Sequence, residues 1–334
     1  MESVCPKTGD NYVLLDFKQF CEEIRNQVEG KLGEECEASI RSVVKNNHTE
    51  QTSITIRVGE TNVMPAIYLE AFYREYKQGT ALNEIVSNVV EIYEKNRNPW
   101  PNGLDFSFEG VRDKISFRLV NCKKNSEQLM NMPHVDFDEW AICFECVLTR
   151  EGGSVGAVRI ENSMMREWNI GLQELVRLAS ENMPRLIPPK VEPIEEVLAG
   201  ILIARLIEDD GITEDEREEK TKEILDHILD RKEDAGIPMY VLSNCLNHYG
   251  ACAILDIPFM DSVRERLKED FYILPSSIHE LILIPVSAAP GEDRMLEMVQ
   301  EVNENEVPED EFLSDGIYRY GTLRKKICAA LAIE

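Results

Sequence analysis

An α+β fold of two mixed lobes, built mainly from antiparallel sheets flanked by helices, is predicted by three features of the chain. Apolar residues recur at steps of three and four in several segments, as on helices with one buried face. Between these segments lie short β-branched and aromatic runs separated by turn residues, as in hairpins and meanders. A stretch at 188–193 holds three prolines in six residues and reads as a stiff, extended connector. It divides the chain into an N-terminal lobe at 1–187 and a C-terminal lobe at 188–334.

Residues 12–32 carry Leu14, Phe17, Cys21, Ile24 and Val28 on one helical face, with Gly30 and Gly33 as stop signals. Three strands follow at 38–44, 53–58 and 63–69, joined by turns at Asn46-Asn47 and at 59–62. Ile54, Ile56 and Val58 alternate with Thr55 and Arg57, which suits a sheet with one wet face. A helix at 82–95 has Thr80 as its expected N-cap, and the prolines and glycine of 98–103 break the chain after it. Residues 112–120 are ambiguous by periodicity, and a helix is expected across 106–121. A short helix at 125–131 then precedes a hairpin, with strands at 140–148 and 155–160 and its turn at Gly152-Gly153. Helices at 163–168 and 172–183 complete the lobe.

Beyond the prolines, a helix at 194–207 leads into residues 208–223, where nine acids face three basic residues. This begins an acidic helical insertion at about 208–235, with a thin apolar stripe of Ile224, Leu225, Ile228 and Leu229. It reads as a surface helix, with a dedicated partner-binding helix as the rival. A strand at 239–242, a strand or turn at 251–255 and a helix at 258–268 come next. Residues 271–286 form the central hairpin of the lobe, followed by a helix at 293–303, a strand near 317–320 and a last helix from Leu323.

The 334 residues include 36 Lys+Arg and 62 Asp+Glu, a net charge of −26, and 43% of residues are hydrophobic. Such a balance supports a solvated globular protein and disfavours direct binding to nucleic-acid backbones or anionic membranes. Apolar runs fall well short of the roughly 18 residues of a membrane span. The start, Met1-Glu-Ser-Val-Cys-Pro, lacks the basic and apolar regions of a secretory signal. Nine scattered cysteines suit reduced thiols and a cytoplasmic location. Cys143 and Cys146 stand three apart on an expected strand, so they point to opposite faces and act as ordinary strand cysteines.

The polar knot inside the 271–286 hairpin, Ser276, Ser277, His279 and Glu280, is the leading candidate site, and Asn244 is a further candidate binding residue. A nucleophilic serine needs a base within reach and a third group to orient that base. In an extended segment Ser277 and His279 share a face while Glu280 points away. A structural turn, a ligand or partner site and a hydrolase-like centre all remain open for this knot. His134 with Asp136 and Asp138 has too few donors for a metal centre and reads as a polar loop. His248 sits in a turn favoured by Asn244 and Asn247, while His48 and His227 read as solvated. HExxH, a Walker loop and GxGxxG are missing, so no cofactor or metal is expected.

Several phrases then carry a family resemblance: Pro65-Ala-Ile-Tyr-Leu-Glu70 with Phe72-Tyr73; Val111-Arg-Asp-Lys114 with Leu119-Val-Asn121; Ala179-Ser-Glu-Asn-Met183; Met239-Tyr-Val-Leu-Ser-Asn244; Gly250-Ala-Cys-Ala-Ile-Leu255; and Leu274-Pro-Ser-Ser-Ile-His-Glu280. In this order and spacing, over residues 14 to 325, the chain resembles Domain of Unknown Function 5688, a family of gut Firmicutes and related anaerobes. More distantly, the Trp168–Met183 helix region and the strand arrangement are similar to another Firmicutes family, the one formerly described as Domain of Unknown Function 1444. The resemblance implies a bacterial cytoplasmic protein and brings no activity, cofactor or catalytic residue with it. From the missing catalytic signatures, the strong acidity and the charged helix faces, the expected function is a non-enzymatic binding or adaptor protein for a protein partner or a small ligand. A hydrolase-like enzyme using Ser276, Ser277, His279 and Glu280 is the alternative, and an acidic nucleic-acid mimic a minor one.

Overall fold

A computed structural model describes residues 14–33, 35–58, 64, 66–96, 105–149, 155–208, 213–231 and 236–331. The expected turns at 59–62 and 152–153 and the break at 98–103 lie outside the described residues, as do parts of the 208–235 insertion. The architecture is α+β, with three antiparallel sheets. Backbone contacts group the chain into two units, Met1–Lys45 with Thr49–Asp105, and Asn46–His48 with Phe106–Glu334.

In the first unit, helix α1 (Phe17–Leu32) precedes strands β1 (Cys36–Val44), β2 (Glu50–Val58) and β3 (Ala66–Tyr68), then helices α2 (Glu70–Lys77) and α3 (Leu82–Asn96). Helix α1 starts later than expected because Asp16 and Gln19 cap it reciprocally. The Asp16 carboxylate accepts from the Gln19 N–H at 2.8 Å, and the Gln19 side chain accepts from the Asp16 N–H at 3.1 Å. Gly33, at φ 94°, ends the helix, whereas Gly30 stays inside it. Phe20, Ile24 and Val28 pack with Ile54 and Ile56 of β2 and with Ile85 and Val89 of α3. Helix α2 was not anticipated: it buries no residue, and its Tyr73 and Tyr76 rings lean on Phe20 at 5.2 and 5.3 Å. Helix α3 begins at Leu82, so Thr80 is not its cap.

The second unit opens with α4 (Phe108–Val111), a 3-10 turn (Arg112–Lys114) and strand β4 (Ile115–Asn121). The helix expected over 106–121 is thus corrected to a strand for its second half. All seven residues of β4 are buried. With both faces covered there is no alternation to read, and a short apolar run then mimics a helix. After α5 (Ser126–Leu129), strands β5 (His134–Phe137), β6 (Trp140–Thr149) and β7 (Gly156–Arg159) complete a sheet in which β6 pairs with all three others. Ile115, Phe117 and Leu119 of β4 share one face with Trp140, Ile142 and Phe144 of β6, facing the main core. Ser116, Arg118, Ala141, Cys143 and Glu145 lie on the other face. Cys146 belongs to the main core and Cys143 to a separate cluster with Val120 and Leu129, as opposite faces require.

Helices α6 (Asn162–Trp168) and α7 (Leu172–Leu186) lead to β8 (Pro189–Pro193), α8 (Ile194–Glu208) and α9 (Glu214–Arg231). The expected Pro-rich linker is strand β8, paired with β9 (Tyr240–Asn244) from Pro189↔Asn244 to Pro193↔Tyr240. It lies at the end of the sheet order β12-β10-β11-β9-β8. Edge strands accept proline because one side needs no ladder N–H. The same sheet holds β10 (Phe271–Pro275) and β11 (Leu281–Pro285), the anticipated hairpin, in register from Phe271↔Pro285 to Pro275↔Leu281. Residues 251–255, read as a strand or turn, belong to a buried 3-10 segment, Gly250–Leu255. Helices α10 (Ile257–Leu267) and α11 (Glu292–Asn305), strand β12 (Tyr318–Arg319) and helix α12 (Tyr320–Leu331) complete the unit.

Candidate functional site

The polar knot is a hydrogen-bonded turn whose groups are spoken for locally. Ser277, 7% exposed, accepts from the His279 backbone N–H at 3.0 Å, and its own N–H donates to the Glu280 carbonyl at 3.1 Å. Ser276 Oγ donates to Glu280 Oε1 at 3.3 Å. The structure therefore joins Ser276 to Glu280 and Ser277 to the backbone of His279. The imidazole of His279 faces elsewhere.

Its Nδ1 accepts from the Tyr249 N–H at 3.2 Å, which leaves the ring proton of the neutral form on Nε2. Nε2 stands 3.9 Å from Glu311 Oε1. Burial, with the positive potential of neighbouring His248, lowers the His279 pKa below the ordinary imidazole value. Burial also raises the Glu311 pKa, helped by Asp310 and Glu280.

Asn244 shapes the adjoining turn. Its Nδ2 donates to the His248 carbonyl at 2.7 Å, and its Oδ1 accepts from the N–H groups of Leu246 (3.0 Å) and His248 (3.3 Å). Asn247 (φ 48°) and Tyr249 (φ 46°) flank His248 in the left-handed region. For a tyrosine this conformation costs about 1–2 kcal/mol, so surrounding contacts must impose it. Those contacts are the Arg118 guanidinium, 4.2 Å above the Tyr249 ring, and the His248 and His279 rings at 4.6 and 5.5 Å. Gly250 follows, where a Cβ would collide with Ser243 Oγ and the His279 carbonyl oxygen. Ser243 Oγ donates to that same carbonyl at 2.8 Å.

Inward from this turn lies a set of charged and polar groups that sequence reasoning missed. Arg118, only 3% exposed, donates from Nη2 to Asn46 Oδ1 at 2.5 Å and to the Tyr249 hydroxyl at 3.0 Å. Glu145, 2% exposed, sits opposite Ser116 in the β4–β6 ladder, with Arg118 two residues further along β4. His248 Nε2 approaches Glu145 Oε1 to 3.3 Å, close enough for an ion pair but without hydrogen-bond geometry. Eight buried side-chain N and O atoms lack a hydrogen-bond partner among the described residues. Four of them converge here: Ser116 Oγ, Arg118 Nε, Glu145 Oε1 and His248 Nε2. Their sequence signal was a charge inside each apolar strand, Phe117-Arg118-Leu119 and Phe144-Glu145-Cys146, since such residues are almost never buried without a partner.

The remaining candidates separate. His134 lies on β5, not in a loop; its Nδ1 contacts the Met132 carbonyl at 2.9 Å and its Nε2 stands 3.7 Å from Asp136. Asp138 turns away to Lys326 at 2.6 Å. Among the described residues no group of three or more His, Cys, Asp or Glu side chains is placed to hold a metal ion. No described helix is long and apolar enough to cross a membrane. His48 is exposed, and the side chain of His227 lies outside the described residues.

Comparison with known proteins adds the lineage. The sequence profile of the family of unknown function DUF5688 matches residues 17–322, and the chain belongs to that family. No curated protein and no solved structure matches it.

Proposed function

We propose that this member of the family is a non-enzymatic binding protein that holds a small polar ligand against Ser116, Arg118, Glu145 and His248. The observation that carries the reading is the convergence of four buried polar atoms without hydrogen bonds on one sheet face and its neighbouring turn, two of them the ion-paired Glu145 Oε1 and His248 Nε2. Each such atom costs roughly 1–3 kcal/mol when nothing satisfies it. Ser116 Oγ and Arg118 Nε, which lie outside the Glu145–His248 ion pair, together cost about 2–6 kcal/mol. A ligand offsets that cost if it accepts a hydrogen bond from Arg118 Nε and donates one to Glu145 Oε1. It therefore bears an acceptor and a donor within a few atoms of each other. The cluster reaches solvent at His248 and His279, whose side chains are 21% and 32% exposed.

The hydrolase-like alternative has less support, because Ser277 Oγ is engaged by a backbone N–H and the His279 ring by Tyr249. A bacterial, cytoplasmic setting belongs to the proposal as well. The eight described cysteines are all free thiols, as reducing compartments favour.

The test is native mass spectrometry of the protein purified gently from a related host, set against its denatured mass. Wild type is expected to carry an extra small-molecule mass that disappears on denaturation. Ser116→Ala, which removes one orphaned hydroxyl without touching a charge, should carry less of it, and Arg118→Met none. A bare wild-type mass, or an adduct indifferent to both substitutions, sinks the proposal.

A further inference from the structure

Helix α8, Ile194–Glu208, is apolar on nearly every side, a pattern expected of a helix buried all round. Yet between Val197 and Ile207 only Ala199 is buried. Leu198, Ile201, Leu202 and Ile207 are 52%, 47%, 47% and 60% exposed. They supply four of the eleven large exposed hydrophobics among the described residues, so this is a patch and not scatter. Leu198, Ile201 and Leu202 fall at helical steps of three and four and form one continuous stripe.

The charge around the stripe identifies its occupant. Helix α9 packs on α8, and Arg217 Nε donates to the Leu206 carbonyl at 3.0 Å to hold the two together. Helix α9 contains eight acids against four basic residues. Glu216, Glu218, Glu219 and Glu223 are exposed on it, with Lys220 and Lys222 between them. Glu196 on α8 adds another exposed acid, and Arg205 is the one basic residue of α8. An exposed apolar stripe on a helix packed against an acidic one fits an amphipathic helix with basic flanks. A second copy of this chain is disfavoured, since each copy brings a net charge of −26.

We infer that α8 and α9 form a docking surface for a basic amphipathic helix of another protein, with Leu198, Ile201 and Leu202 as the apolar seat and the acids of α9 as the rim. This surface is independent of the Arg118–Glu145–His248 cluster and goes beyond the small-ligand reading.

The experiment uses the full-length protein and a fluorescent 18-residue Leu/Lys amphipathic peptide as probe, followed by anisotropy. Saturable one-to-one binding is expected, weakened at high salt, and missing for the matching Leu/Glu peptide. Leu198→Asp and Ile201→Asp should each weaken binding at least tenfold while leaving the circular dichroism and the unfolding midpoint unchanged. These substitutions add negative charge, so attraction by charge alone would instead strengthen binding of the Lys peptide. Unaltered or tighter binding by the variants, or no saturable binding, overturns the inference. A wild-type dimer in sedimentation that Leu198→Asp dissociates also overturns it, because the stripe then serves self-association.

Discussion

Gly250→Ala tests the packing that holds the turn of Tyr249 against the hairpin. The added methyl overlaps Ser243 Oγ and the His279 carbonyl oxygen, and lies 3.0 Å from the Asn244 nitrogen. Two of these three atoms belong to backbone, which cannot swing aside as a flexible side chain would. Relief therefore moves β9 away from the knot and breaks the 2.8 Å bond from Ser243 to the His279 carbonyl. Overpacking of this kind costs about 1–3 kcal/mol, and a lost intramolecular hydrogen bond adds about 1 kcal/mol. The sum, about 2–4 kcal/mol, corresponds to a fall in Tm of roughly 5–15 °C for a unit of this size. Urea unfolding followed by circular dichroism reads the free energy, and calorimetry reads Tm. Gly200→Ala is the matched control: nothing lies within 4 Å of its Cβ, and Ala in a helix interior stabilises by up to about 1 kcal/mol over Gly. If Gly250→Ala proves as stable as wild type, the close approach of β9 and the knot is wrong.

Three further outcomes follow from the same geometry. Asn244→Ala removes three hydrogen bonds that shape the 245–248 turn and should destabilise by about 2–3 kcal/mol; a change under about 0.5 kcal/mol in urea unfolding contradicts that role. Burial holds the His279 pKa below the 6.5 of an ordinary imidazole, so the unfolded chain binds that proton more tightly. Stability then rises with pH across this range and is lost as pH falls from about 6.5 through the native value. The stability advantage of wild type over His279→Gln should accordingly shrink in acid; an advantage that grows there refutes the assignment. Burial pushes the thiols of Cys143 and Cys146 up to about 12 and that of Cys252 higher still, whereas Cys245 and Cys328 are exposed. Iodoacetamide at pH 8, read by peptide mass mapping, should label Cys245 and Cys328 in the native protein and the buried three only after unfolding.

Elements that declare themselves through local pattern were legible in the chain. The hairpin of β10 and β11 is announced by two apolar runs around a polar turn, and α1, α3 and α7 by apolar steps of three and four. Strand β4 was hidden because its two faces are both covered, so Arg118 inside Ile115–Asn121 carried no visible period. Residues 189–193 form an edge strand where the sequence suggests a linker, because proline suits both equally and only pairing with β9 distinguishes them. At the candidate site, Ser276, Ser277, His279 and Glu280 share the hairpin turn and Asn244 shapes the adjoining 245–248 turn, and their bonds run chiefly to one another and to backbone. Arg118 and Glu145 come together through strand register and Tyr249 through tertiary packing. Neither relation exists until the sheet is assembled.

The most direct test of the central claim is a high-resolution electron-density map of gently purified protein around Ser116, Arg118, Glu145 and His248. The account predicts non-protein density larger than a water, within hydrogen-bond distance of Arg118 Nε and Glu145 Oε1. A lone water there, or side chains that satisfy one another with no space between them, contradicts it.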